Sequence, residues 1–146
     1  MGSKIALPTV KIGKYAIKRK RGLSGLGLFA LEAIPKGEYV VEYWGRMLND
    51  AEAQQTGGKY LFELSKHRTI DGSSRDNLAR YINHACRPNC EIEIKKGRVL
   101  IFSKKAIKAG EELTYDYGKE YVDEFIKPYG CRCATCAAKK QKTPTA

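Results

Sequence analysis

The sequence predicts a mainly β protein, made of several small sheets of short strands with few short helices. Aromatic and β-branched residues gather in short runs separated by turn residues. Helical periodicity is weak and confined to 50–55, 77–85 and 119–126. No long helix alternates with the strands, so a doubly wound nucleotide-binding fold is excluded.

The elements follow in order. YAIKRK (15–20) alternates like a strand. LFALEA (28–33) and EYVVEYWG (38–45) are the next two, with the turn IPKG between them predicting a hairpin-like pair. DAEAQQ (50–55) reads as a helix, and YLFEL (60–64) and RTIDG (68–72) as two more strands. NLARYINHA (77–85) is helical in pattern, with Asn77 placed to cap it. EIEIK (91–95) and RVLIFSK (98–104) flank Lys96-Gly97 as a hairpin. ELTYDY (112–117) is the last strand, KEYVDEFI (119–126) a short helix, and the polar end AAKKQKTPTA is expected to fray.

The 146 residues suffice for one domain whose core needs no disulfides. No apolar run approaches membrane-spanning length, and the first residues lack a signal peptide's apolar block, so a soluble, intracellular protein with no membrane partner is expected. The net charge of +11 is unevenly spread: residues 1–31 and 125–146 carry twelve cations and no acid, whereas 32–124 carry fifteen cations and sixteen acids. Basic ends around a slightly acidic body suit solubility or docking on a polyanion, and leave the body able to accept a cationic partner.

Five cysteines raise the question of metal. Cys131, Cys133 and Cys136 form C-x-C-x2-C, a trio that needs one more ligand for a tetrahedral zinc site, and Cys86, Cys90 and His84 are the available donors. Two disulfides with a spare thiol are disfavoured inside a cell, and a redox Cys133-x-x-Cys136 lacks its usual βαβ context. A Cys86–His84 thiol hydrolase is disfavoured because the pair are neighbours on one local turn. Gly22, Gly25 and Gly27 leave bare backbone before a strand, but no long helix follows to complete a dinucleotide fingerprint. Tyr115 and Tyr117, two apart on one strand, share a face on which their hydroxyls can line a narrow cavity, with Asp116 pointing the other way.

Taken in order, G-x-G (25–27), Y-x-G (43–45), YLFEL (60–64), IDG (70–72), RYINHACRPNC (80–90), GEELTYDYG (110–118) and C-x-C-x2-C resemble the SET-domain protein lysine methyltransferases with a post-SET cysteine segment. The resemblance covers roughly residues 14–136. It divides the chain into a basic extension (1–13), a SET domain (14–118), a post-SET segment (119–137) and a basic tail (138–146). It implies a knot-like core, in which the Asn-His segment threads under a neighbouring loop, with S-adenosylmethionine and a target lysine entering from opposite faces. Ser24, Leu26 and Gly27 would hold the cofactor through backbone atoms, Tyr60 and Arg80 would contact it, and Asn83 and His84 would hydrogen-bond it. Tyr117 would be the catalytic tyrosine, Tyr43 would line the lysine channel, and Tyr115 would influence how many methyl groups are added. Cys86, Cys131, Cys133 and Cys136 would hold a structural zinc, leaving Cys90 as a small buried residue entering its strand.

The sequence departs from the family pattern in several places. The post-SET spacing is usually C-x-C-x4-C, no aromatic residue follows Cys136, and Ala85 replaces a common serine. Within these 146 residues neither a cysteine-rich segment ahead of the domain nor an additional domain is expected. A tyrosine at position 115 favours mono- or dimethylation, because its hydroxyl restricts the amine as methyls accumulate. The expected substrate is a lysine-bearing basic tail, with a histone the leading class and nucleic-acid or nucleosome contact through the basic ends. The other reading is an inactive, zinc-stapled SET-like module that binds chromatin or nucleic acid. The compartment would be the nucleus in a eukaryote, or the cytoplasm or a secreted effector in a bacterium.

Overall fold

Lys96 (φ 49°) and Gly97 (φ 76°) both take the left-handed backbone that a two-residue hairpin turn requires. They join β8 (Cys90–Lys95) to β9 (Arg98–Ser103) in an antiparallel ladder from Cys90–Ser103 to Lys95–Arg98. β3 (Tyr39–Tyr43) pairs on the other edge of β9, so the sheet order is β3-β9-β8. Glu42, nearly buried on β3, receives Arg98 Nη2 at 2.8 Å and Nε at 3.2 Å, a two-point pair that fixes register across this sheet. The computed structural model describes residues 8, 10–22, 25–58 and 60–118.

Three smaller sheets surround this one. β1 (Ile17–Gly22) and β2 (Gly25–Ala30) form a hairpin. β4 (Arg46–Leu48), β6 (Arg68–Asp71) and β5 (Leu61–Ser65) form a sheet in the order β4-β6-β5. β7 (Asn83–His84) and β10 (Thr114–Tyr115) pair in parallel. The one α-helix among the described residues, α1 (Asp50–Thr56), starts at a capping box: Asn49 Oδ1 accepts from Glu52 N, while Glu52 accepts from Asn49 N. The mainly β architecture of small sheets expected from the sequence is the one observed.

The core is where these sheets converge. Leu28, Val40, Val99, Ile101, Ile82 and Leu113 are essentially inaccessible. Burial is worth about 1.5–3 kcal/mol for each such side chain.

Three expectations need correction. Strands 28–33 and 38–45 are not hairpin partners, since β2 pairs with β1 and β3 with β9. Ile34 explains why: it is buried and exchanges both backbone hydrogen bonds with Ile107, so the IPKG segment crosses between sheets. Ser103 secures that crossing, donating to Pro35 O at 2.6 Å and accepting from Glu38 N. Second, 77–85 is no helix: a 3-10 turn, Leu78–Tyr81, gives way to extended Ile82 and β7. Asn77 makes no cap, because its amide is drawn inward to Gly72 O (3.0 Å) and Trp44 N (3.3 Å). Third, the last strand shortens to Thr114–Tyr115 against β7, because the residues before it turn to β2 instead, through the Phe29–Glu112 bridge and Leu113 N to Leu28 O at 2.8 Å. The helix expected over 119–126 lies outside the described residues.

Candidate active site

Asn83 and His84 are held on β7 opposite Thr114 and Tyr115 of β10. So short a pairing would not stand alone, and Asn89 braces it. This buried residue accepts Thr114 N at 2.9 Å on its side-chain oxygen and donates Nδ2 to Glu112 O at 2.8 Å. Ala85 N adds a bond to Tyr115 O.

The Asn83 amide reaches the β1–β2 hairpin, donating Nδ2 to Leu26 O at 2.9 Å and to Glu112 Oε2 at 2.8 Å. The His84 side chain is nearly inaccessible, and Nδ1 accepts the Tyr117 N–H at 3.1 Å. An accepting Nδ1 carries no proton, so the approach of Asp116 to the same atom (3.7 Å) is not an ion pair. Desolvation holds the ring's pKa below its ordinary value despite Asp116. The neutral ring therefore carries its proton on Nε2, which faces Cys86 Sγ at 4.0 Å.

Tyr117 donates its hydroxyl to Ile82 O. Its ring lies 5.0 Å from that of Tyr115 and 5.5 Å from His84, tilted against both, so the two tyrosines form one aromatic wall while Asp116 is exposed. Tyr43 donates to Tyr60 O at 2.6 Å, and the Tyr60 ring lies 4.4 Å from the Arg80 guanidinium. Arg80 also stacks over Tyr81, whose hydroxyl accepts from Arg19 of β1, so hairpin, 3-10 turn and Tyr60 are linked by consecutive cation–ring contacts.

A model of the SET domain family matches residues 25–118. The chain belongs to the SET domain family. It is 37% identical over 141 residues to the histone-lysine N-methyltransferase set-2 of Caenorhabditis elegans, covering 87% of this chain and 9% of that protein. It is 35% identical over 130 residues to the human histone-lysine N-methyltransferase 2D (81% and 2%), and 37% over 125 residues to an H3 lysine-4 specific enzyme of Schizosaccharomyces pombe (76% and 13%). The chain thus spans a small fraction of the length of the curated relatives it matches.

Of the candidate site residues in this SET domain, Leu26, Asn83, His84, Tyr115 and Tyr117 are joined directly around β7 and β10. Tyr43, Tyr60 and Arg80 form a second group, tied to the hairpin through Tyr81 and Arg19. Ser24, Cys131, Cys133 and Cys136 lie outside the described residues. Among the described residues no three His, Cys, Asp or Glu side chains gather as a metal site. Cys86 is exposed, whereas Cys90 is buried at the start of β8, as expected, and burial pushes its thiol up to about 12.

The described residues suit a polar, partly anionic ligand such as S-adenosylmethionine. Arg80 Nε is buried without a hydrogen-bond partner among the described residues, a donor left for an acceptor to satisfy. Leu26 is 45% exposed, and a Cβ on Gly25 would meet only open space, so the hairpin is accessible at these two residues. Sequence reasoning missed Glu112, Asn89 and the inward role of Asn77. GEEL and RPN contain the first two, but nothing in either string says that they bond to β7 and β10. Among the described residues no helix is long and apolar enough to cross a membrane.

Proposed function

We propose that this SET domain is an S-adenosylmethionine-dependent protein-lysine methyltransferase acting on a histone or similar basic tail, adding one or two methyl groups. The observation that carries this reading is the tyrosine wall of Tyr115 and Tyr117 built beside Asn83 and His84. The relatives' names, which specify histone lysine, support the substrate class.

S-adenosylmethionine, when bound, supplies an electrophilic methyl group on a positively charged sulfur. Arg80, Asn83, His84 and the backbone of Ser24, Leu26 and Gly27 would hold it, with Tyr60 alongside. A free lysine has a pKa of about 10.4 and must lose its proton to become a nucleophile. Walls made by Tyr43, Tyr115 and Tyr117 desolvate the ammonium and so lower that pKa, as does a nearby positive charge. Tyrosine rings are stiff and polar at one tip, and holding the reactants aligned contributes up to about 7–11 kcal/mol. Neither an acid–base carboxylate nor a metal is assigned to the reacting centre in this reading.

Cys86 with Cys131, Cys133 and Cys136 would bind a structural zinc that closes residues 119–137 over the site. A lysine-methylating domain on histone tails belongs in the nucleus of a eukaryotic host, where the basic ends of the chain would contact nucleic acid.

The test is a filter assay with radiolabelled S-adenosylmethionine and a panel of histones, with Tyr117→Phe as control. Transfer that falls at least tenfold in the variant supports the reading. Histone or DNA binding without transfer, under conditions where the methyl donor is bound, would favour an inactive binding module.

A further inference from the structure

Glu112 has a place in the molecule that the assigned residues do not explain. Its backbone forms an isolated antiparallel bridge with Phe29 of β2, carrying the side chain beneath the β1–β2 hairpin. A Cβ on Gly27 would overlap Glu112 Oε2, and one on Gly22 would come within 3.6 Å of Oε1 and 2.6 Å of the Phe29 ring. Gly27 thus makes room for this carboxylate and Gly22 for the Phe29 ring beside it. The carboxylate accepts Asn83 Nδ2 at 2.8 Å.

An asparagine side chain has two N–H donors and one acceptor oxygen. Leu26 O and Glu112 Oε2 occupy the donor end of Asn83, so the atom it offers a ligand is Oδ1, an acceptor. A carboxylate only accepts, and therefore opposes the flipped amide, which would set Oδ1 against Oε2.

We propose that Glu112 is a positioning residue. It locks the orientation of the Asn83 amide, and thereby fixes both the Leu26 carbonyl and the acceptor that Asn83 presents to the methyl donor. This rests on the methyltransferase reading for the identity of the ligand. Glu112 itself touches neither ligand nor substrate.

The test uses the full chain and S-adenosylhomocysteine as the calorimetric probe, with Glu112→Ala, Glu112→Gln, Asn83→Ala and the Glu112→Ala/Asn83→Ala double variant. A hydrogen bond to a charged group implies a loss of about tenfold in affinity for Glu112→Ala. Glu112→Gln keeps an acceptor at the same reach but loses the charge and adds a donor that tolerates the flipped amide, so it is expected to recover only part of that loss. The double variant should bind no more weakly than Asn83→Ala alone, because Glu112 acts through Asn83. In the ligand-free protein, the Asn83 side-chain amide pair, assigned in a nitrogen-15 correlation spectrum by its loss in Asn83→Ala, should shift in Glu112→Ala.

Wild-type affinity in Glu112→Ala, losses that multiply in the double variant, or an unmoved Asn83 amide pair would each overturn the proposal. If the wild type fails to bind the probe while the Asn83 pair still responds to Glu112→Ala, the methyltransferase reading falls. The clamp is then a structural contact without a ligand to position.

Discussion

Tyr43 donates its hydroxyl to the backbone carbonyl of Tyr60 at 2.6 Å, and the same carbonyl accepts Gly72 N at 2.9 Å. A residue assigned to the lysine channel is thereby tied to one assigned to the methyl donor. Tyr43→Phe leaves Tyr60 O with its Gly72 partner, so the expected cost is about 1 kcal/mol, measured by urea unfolding. Both KM values should rise together, since one bond serves both sides. Gly72→Ala is expected to be worse, at about 1–3 kcal/mol, because its Cβ would overlap the Tyr43 phenol.

Asn77 is fully buried and joins Gly72 O to Trp44 N across the segment that leads into Arg80. Asn77→Ala strands the buried Gly72 carbonyl and the half-buried Trp44 N–H, so a loss of about 1–3 kcal/mol is expected in thermal or urea unfolding. Asn77→Asp should not rescue it. The carboxylate would keep the bond from Trp44 but face the Gly72 carbonyl.

Tyr115 and Tyr117 stand on the same wall but are expected to fail differently. Tyr117→Phe should reduce transfer at least tenfold, whereas Tyr115→Phe should keep transfer and raise the product state toward trimethylation. Mass spectrometry of a methylated histone peptide distinguishes the two outcomes. Efficient trimethylation by the unmodified protein would remove the basis for the mono- or dimethylation reading.

The zinc assignment predicts that Cys86→Ser, but not Cys90→Ser, lowers bound zinc measured by elemental analysis. Chelation or Cys133→Ser should abolish transfer by loosening the C-terminal segment. Full activity after verified zinc loss would exclude that role.

Cys90 provides a pH signature of the core. Burial, the largest influence, raises its pKa from 9.0 to about 12. Between those values the folded state binds more protons than the unfolded one, so this thiol makes stability fall as pH rises above about 9. Cys90→Ala should flatten the decline in urea midpoint between pH 8 and pH 10.5. At pH 8, iodoacetamide should alkylate Cys90 only after denaturant is added.

The sequence alone determined what depends on local chemistry. Short β-rich runs gave the fold class, Lys96-Gly97 gave a hairpin, and the order of the motifs from G-x-G to GEELTYDYG gave the family. Period two put Tyr115 and Tyr117 on one face. Tertiary contacts decided what local preference could not. Asn77 was legible as a helix cap because that is its nearest use for an amide, yet burial offered it Gly72 O and Trp44 N instead. Ile34 turned an apparent hairpin into a crossover by pairing with Ile107, a partner no local pattern announces. Glu112 and Asn89 read as ordinary polar residues in GEEL and RPN. Only when the chain closes do their side chains meet β7 and β10, where a buried or half-buried polar group must find a partner or lose the water it gave up.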